Sequence, residues 1–225
     1  AKLTSGKNNY RVGIITASGG SYAASRVENI ALDHTYFRGV QLSVTGAAGV
    51  VTGCDINDIE AQVYNAYGVL ILGDAEVTSH IVSSIGGRAI GTAYGNATVT
   101  GNEVDNVETG LYNYNYGYST KTAIVAGNTV TNAIFGMNLV GLTPTTVIGG
   151  PLPADKNVID LSGAGRGGQR VFEKNPAVDD IVLPENAGLR QNTNADIGML
   201  VWYSDYSANI QNNEITASAG DAGIW

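Results

Sequence analysis

The chain's 225 residues carry 12 basic against 20 acidic side chains, a net charge of −8, and glycine alone accounts for 30 positions. That balance repels phosphate backbones and anionic membrane surfaces, which excludes nucleic acid as the main partner. No apolar run reaches the roughly 18 to 20 residues of a membrane-spanning helix, so no membrane insertion is expected, and the lone cysteine, Cys54, excludes an internal disulfide framework.

Along the chain, YRVGIIT from Tyr10 is the first strand-like run. From Val27 onward one motif recurs about every 25 residues, a period that implies a solenoid. Its copies are VENIALDHT from Val27, VTGCDINDI from Val51, VTSHIVSSI from Val77, VTGNEVDNV from Val99, VAGNTVTNA from Val125 and IQNNEITAS from Ile210. The first, sixth and ninth residues of each copy are mostly aliphatic, as in Val51, Ile56 and Ile59, and are the predicted core. A second strand follows, opened by a small residue and an apolar one: Gly39-Val40, Gly68-Val69, Gly110-Leu111, Gly136-Met137, Gly198-Met199 and Gly223-Ile224. Short period-two strands punctuated by glycine and asparagine predict an all-β, parallel β-solenoid.

The fourth position of each copy holds Ile30, Cys54, His80, Asn102, Asn128, Asn157 or Asn213. Asparagines stacked at one turn can hydrogen-bond from repeat to repeat, so His80 and Cys54 are expected to be structural occupants of that slot. Between Ile159 and Gly198 the rhythm breaks into a long loop insertion, about 161–195. Its basic residues, Arg166, Arg170 and Arg190 among them, make it a candidate binding wall. The alternative is a flap over apolar surface. Neither YRVGIIT nor the final DAGIW reads as a cap, so residues 1–225 are expected to form one domain of a longer polypeptide, with a neighbouring domain or subunit covering its ends.

The pattern G-N-x-V followed by G-L or G-M resembles the right-handed parallel β-helix repeats of the pectin-lyase-like superfamily, and VIGGPLPADKNVI from Val147 resembles a segment of bacterial secreted and cell-surface β-helix proteins. The resemblance implies a right-handed parallel β-helix, an extracellular or cell-surface location and a polysaccharide or cell-surface glycan as partner. The superfamily holds lyases, hydrolases, epimerases, adhesins and tailspikes, so it does not choose an activity. The acid motifs of polygalacturonases and the arginine motif of pectate lyases are missing here.

The stretch LYNYNYGY from Leu111 alternates tyrosine with small polar residues, which places the rings on one face of a strand. If Leu111 faces inward with Val69 and Met137, then Tyr112, Tyr114 and Tyr116 face outward in rows with Leu70, Leu72 and Trp202, an aromatic stripe for glycan or partner contact. Asn113 and Asn115 then point inward and need buried partners or a bulge. A flipped strand would instead bury the rings. Among the acids, Asp33, Asp55 and Asp58 are a weak candidate for calcium. The expected function is a non-catalytic rigid stalk or adhesin; the alternative is a polysaccharide lyase or hydrolase acting on acidic glycans.

Overall fold

The computed structural model describes residues 2–4, 12–16, 25–59, 65–162, 197–204, 208–216 and 222–224, with the backbone alone at 2–4, 12–16, 34 and 222–224. Parallel strands stack in three columns. The first contains Lys2–Thr4, Ala31–Thr35 and Asp55–Ile59, the opening halves of the long strands Ile81–Ala93, Glu103–Tyr114 and Thr129–Val140, then Asn157–Asp160 and Asn213–Thr216. The second contains Val12–Thr16, Arg38–Ser43 and Tyr67–Leu72, the closing halves of the same long strands, Ile197–Trp202 and Ala222–Ile224. The third runs from Arg26–Glu28 through Gly49–Thr52, Ala75–Thr78, Ala97–Thr100, Ala123–Ala126 and Val147–Ile148 to Asn209–Ile210.

Each repeat gives one strand to the third column, one to the first and one to the second, and then starts again one strand spacing further on. The architecture is all-β and built of stacked parallel strands. The sequence period marks the register: Val27, Val51, Val77, Val99, Val125, Ile148 and Ile210 lie side by side. Like therefore stacks on like. These valines join Ile56, Ile59, Val82, Ile85, Val104 and Val107 of the first column and Val40, Val69, Leu111, Met137 and Met199 of the second in one buried cluster. Each such side chain contributes about 1.5 to 3 kcal/mol relative to exposure.

Positive-φ residues make the bends. Between the third and first columns stand Asn29, Gly53, Ser79, Gly101, Gly127 and Asn212, with φ from 51° to 66°. Between the first and second stand Asp58, Ser84, Asn106 and Asn132, with φ from 54° to 58°. Asparagine, aspartate and glycine reach this region most cheaply, which explains their abundance in a chain that turns so often.

Candidate functional site

The asparagine slot is a continuous hydrogen-bonded ladder. The backbone N–H groups of His80, Asn102 and Asn128 donate to the side-chain oxygens of Asn102, Asn128 and Asn157 in the following repeat, at 3.1, 3.1 and 3.0 Å. The amides of Asn102, Asn128 and Asn157 donate onward to the next asparagine at 2.8, 3.0 and 2.8 Å. They also donate back to the carbonyls of Val77, Val99 and Val125 at 3.2, 2.9 and 2.8 Å. His80 uses the same slot: its Nδ1 accepts from the Cys54 N–H at 3.2 Å and its Nε2 donates to the Val51 carbonyl at 2.7 Å. Burial lowers the pKa of His80 and raises that of the Cys54 thiol, holding both neutral. They are turn residues, as their place in the repeat predicts.

Two acidic residues of the first column, Asp33 and Asp105, are engaged by side chains of the next repeat. Asp33 accepts from Asn57 Nδ2 at 3.2 Å, Asn57 accepts from Ser83 at 2.9 Å, and Asp105 accepts from Thr131 and Asn132 at 2.7 Å each. Asp55 lies in register with Ala31 and Ile81, and Asp58 occupies a bend. Among the described residues no three of histidine, cysteine, aspartate and glutamate, Asp33, Asp55 and Asp58 included, group as metal ligands. Arg166, Arg170 and Arg190 lie outside the described residues.

Tyr112 and Tyr114 have the outward parity deduced from the repeat, but the strand ends at Tyr114 and Tyr116 lies in the turn beyond it. Leu111 is in the core, while Leu70, Tyr112 and Val140 form a second cluster with Tyr67 on the opposite face, against which Leu72, Tyr114 and Trp202 pack. The inward asparagines are half satisfied without a bulge: the side-chain nitrogen of Asn113 donates to Thr92 Oγ1 at 2.9 Å and that of Asn115 to the Gly95 carbonyl at 3.0 Å, each one repeat back, while among the described residues both side-chain oxygens are without a hydrogen-bond donor. The exposure expected of the stripe is a different matter. Leu70 and Tyr112 are only 6% and 7% exposed, so at these two positions an open contact surface is corrected to a packed one.

Leu70 packs in the cluster with Tyr67, Tyr112 and Val140, and Tyr112 also packs on a buried cation. The Arg88 guanidinium lies 3.7 Å from the centre of the Tyr112 ring and 5.3 Å from that of Tyr67, and it hydrogen-bonds the Tyr67 hydroxyl. Glycine at position 91 makes the room, because a Cβ there would meet the Tyr67 ring. A desolvated cation on an aromatic face is worth about 2 kcal/mol or more. Burial pushes the Tyr67 and Tyr112 phenols up, so both stay neutral. The buried Glu108 lies near enough to act electrostatically on Tyr67.

The open aromatic surface lies beyond the strand ends, and of its rings the sequence pattern singled out Tyr116 but not Tyr94 or Tyr203. Tyr94, Tyr116, Tyr118 and Tyr203 are all well exposed. Tyr94 meets Tyr114 edge-on at 5.7 Å and Tyr118 at 5.5 Å; Tyr203 meets Tyr116 at 4.8 Å and lies nearly parallel to Trp202 at 6.3 Å. With Tyr112 and Tyr114 stacked at 6.3 Å, the rings cover the outer face of the second column and its closing turn. Trp202 is fixed by donating from Nε1 to Asn138 Oδ1 at 2.9 Å.

Two of these tyrosines sit where the backbone disfavours them. The backbone N–H groups of Gly73, Tyr94, Asn115 and Gly141 donate to Ala93, Tyr114, Val140 and Trp202, which puts Gly73, Tyr94, Asn115, Gly141 and Tyr203 at equivalent positions in successive repeats. Gly73 and Gly141 have positive φ, and so do Tyr94 at 65° and Tyr203 at 48°. For a bulky L-residue this costs about 1 to 2 kcal/mol. Aligning Tyr94 and Tyr203 with Gly73 and Gly141 was the signal available in the sequence. Comparison of the chain with known protein families, curated proteins and solved structures finds no match.

Proposed function

We propose that this chain is a right-handed parallel β-helix segment of a secreted or cell-surface protein, a non-catalytic rigid stalk or adhesin that contacts glycans through aromatic rings. The observation that carries this reading is a pair of ring groups, Tyr112, Tyr114, Tyr94 and Tyr118 in one and Tyr116, Tyr203 and Trp202 in the other, with Tyr114 and Trp202 packed against the same buried cluster. Aromatic faces match the apolar faces of sugar rings, and phenol hydroxyls serve sugar hydroxyls. A ladder-braced scaffold holds them in place before binding, which removes part of the ordering cost.

A second reading, a polysaccharide lyase or hydrolase acting on acidic glycans, has the Arg88, Tyr67 and Glu108 constellation in its favour. Incubation with uronic-acid and neutral polysaccharides separates the two. Retention of a glycan without new reducing ends or unsaturated products supports the stalk. Turnover abolished by a single carboxylate or arginine substitution overturns it.

A further inference from the structure

We propose that the turn carrying Tyr94, Tyr116, Tyr118 and Tyr203 binds an uncharged glycan chain laid along the stacking direction, about one sugar per repeat. This deepens the glycan-contact reading and rests on it. Tyr94 and Tyr203 stand at equivalent positions three repeats apart, roughly 14 Å at the strand spacing of about 4.8 Å. Tyr116 and Tyr118 come from the turn that follows Tyr114, in a repeat between those of Tyr94 and Tyr203, with Tyr118 against Tyr94 and Tyr116 against Tyr203. A pyranose in an extended chain advances by close to one strand spacing, so the rings match a run of about four sugars.

Charge selects the class. The cation beside Tyr118 is Lys121, whose backbone N–H donates to the Tyr118 carbonyl, and its ammonium is paired with Asp74 at 3.1 Å. Partial burial pushes the Asp74 carboxyl up, but the Asn96 N–H and Lys121 outweigh it and hold the group below its ordinary value. Among the described residues this pair leaves no free cation beside Tyr118, on a chain of net charge −8, which disfavours a polyanion.

Strain supplies an independent argument. Positive φ at a bulky residue persists only where the surroundings over-determine it, and such outliers gather at binding sites. At Tyr203 the determinant is Ser204, whose hydroxyl donates to the Trp202 carbonyl at 2.9 Å and accepts from the Leu142 N–H at 3.0 Å. Glycine would hold the same turns without strain, as Gly73 and Gly141 do. The rings at 94 and 203 are therefore kept against the local backbone preference.

The same fact provides the test. The double variant Tyr94→Gly/Tyr203→Gly removes both rings while relaxing the backbone; Tyr116→Ser/Tyr118→Ser is the companion pair on the turn, and Tyr36→Ser, exposed elsewhere, is the control. Titration calorimetry with cello-, manno- and xylo-oligosaccharides of two to six units, and with oligogalacturonates, reads binding; circular dichroism melts confirm folding. The expected result is affinity for a neutral series that rises to about four sugars, falls about tenfold or more in either pair of variants, and is unchanged in Tyr36→Ser. Binding of oligogalacturonates alone, or neutral binding untouched by both pairs, overturns this site while leaving the glycan reading standing. Absence of binding to every series overturns both.

Discussion

Replacing Asn128 with leucine tests whether the ladder holds the repeats together. The side chain is fully buried; its Oδ1 accepts from the Asn102 N–H at 3.1 Å and from the Asn102 amide at 2.8 Å, and its Nδ2 reaches the Val99 carbonyl at 2.9 Å and Asn157 Oδ1 at 3.0 Å. Leucine has similar bulk, so little cavity forms, and the loss is of hydrogen bonds. Asn157 Oδ1 keeps its bond from the Asn128 N–H, and the Asn102 amide keeps the Val77 carbonyl. The Asn102 N–H is orphaned. A buried unsatisfied donor costs about 1 to 3 kcal/mol, and losing the bond to the Val99 carbonyl adds about 1 kcal/mol. The sum, about 2 to 4 kcal/mol, lowers the melting temperature of a chain this size by about 2 to 4 °C per kcal/mol. Urea unfolding followed by circular dichroism gives the free energy directly, and a midpoint equal to that of the parent refutes the claim that the ladder stabilises the stack.

Burial and exposure divide the tyrosines. Tyr112→Ala is expected to cost about 3 to 5 kcal/mol, as for other buried aromatics, whereas Tyr116→Ala is expected to cost no more than about 0.5 kcal/mol; equal melting shifts would contradict the assignment of one ring to packing and the other to solvent. His80 is held neutral when folded, with its pKa lowered, while the unfolded chain takes up a proton near its ordinary value of about 6.5. Its contribution is therefore intact above that value and is lost as pH falls below it, at up to about 1.4 kcal/mol per pH unit. Urea midpoints measured from pH 7.5 down to 5 should fall more steeply in the parent than in His80→Asn, which places the ladder's usual residue in the slot. The Cys54 thiol is buried and donates to the Thr52 carbonyl, so a thiol-specific chromogenic reagent should react only as fast as the fold opens; immediate reaction in the native state would show the turn to be open.

The repeat was legible in the sequence because a stacked parallel architecture makes sequence and register one quantity: a valine at one position of the motif must lie beside the valine at the same position of the next. From that followed the core, the asparagine slot, the structural role of His80 and the outward parity of Tyr112, since each depends only on which residues share a column and a face. What lay beyond the period was not legible. Outward parity places Tyr112 on the second face but does not reveal that Arg88, contributed by the preceding repeat and reaching across Gly91, packs against its ring. Nor does a strand pattern reach past the strand: Tyr94 and Tyr203 sit one residue beyond the ends of theirs, and only the turn geometry brings them beside Tyr118 and Tyr116. Local alternation fixes the side a residue faces, but how open that side is depends on side chains from other repeats, whose reach and bulk the period does not encode.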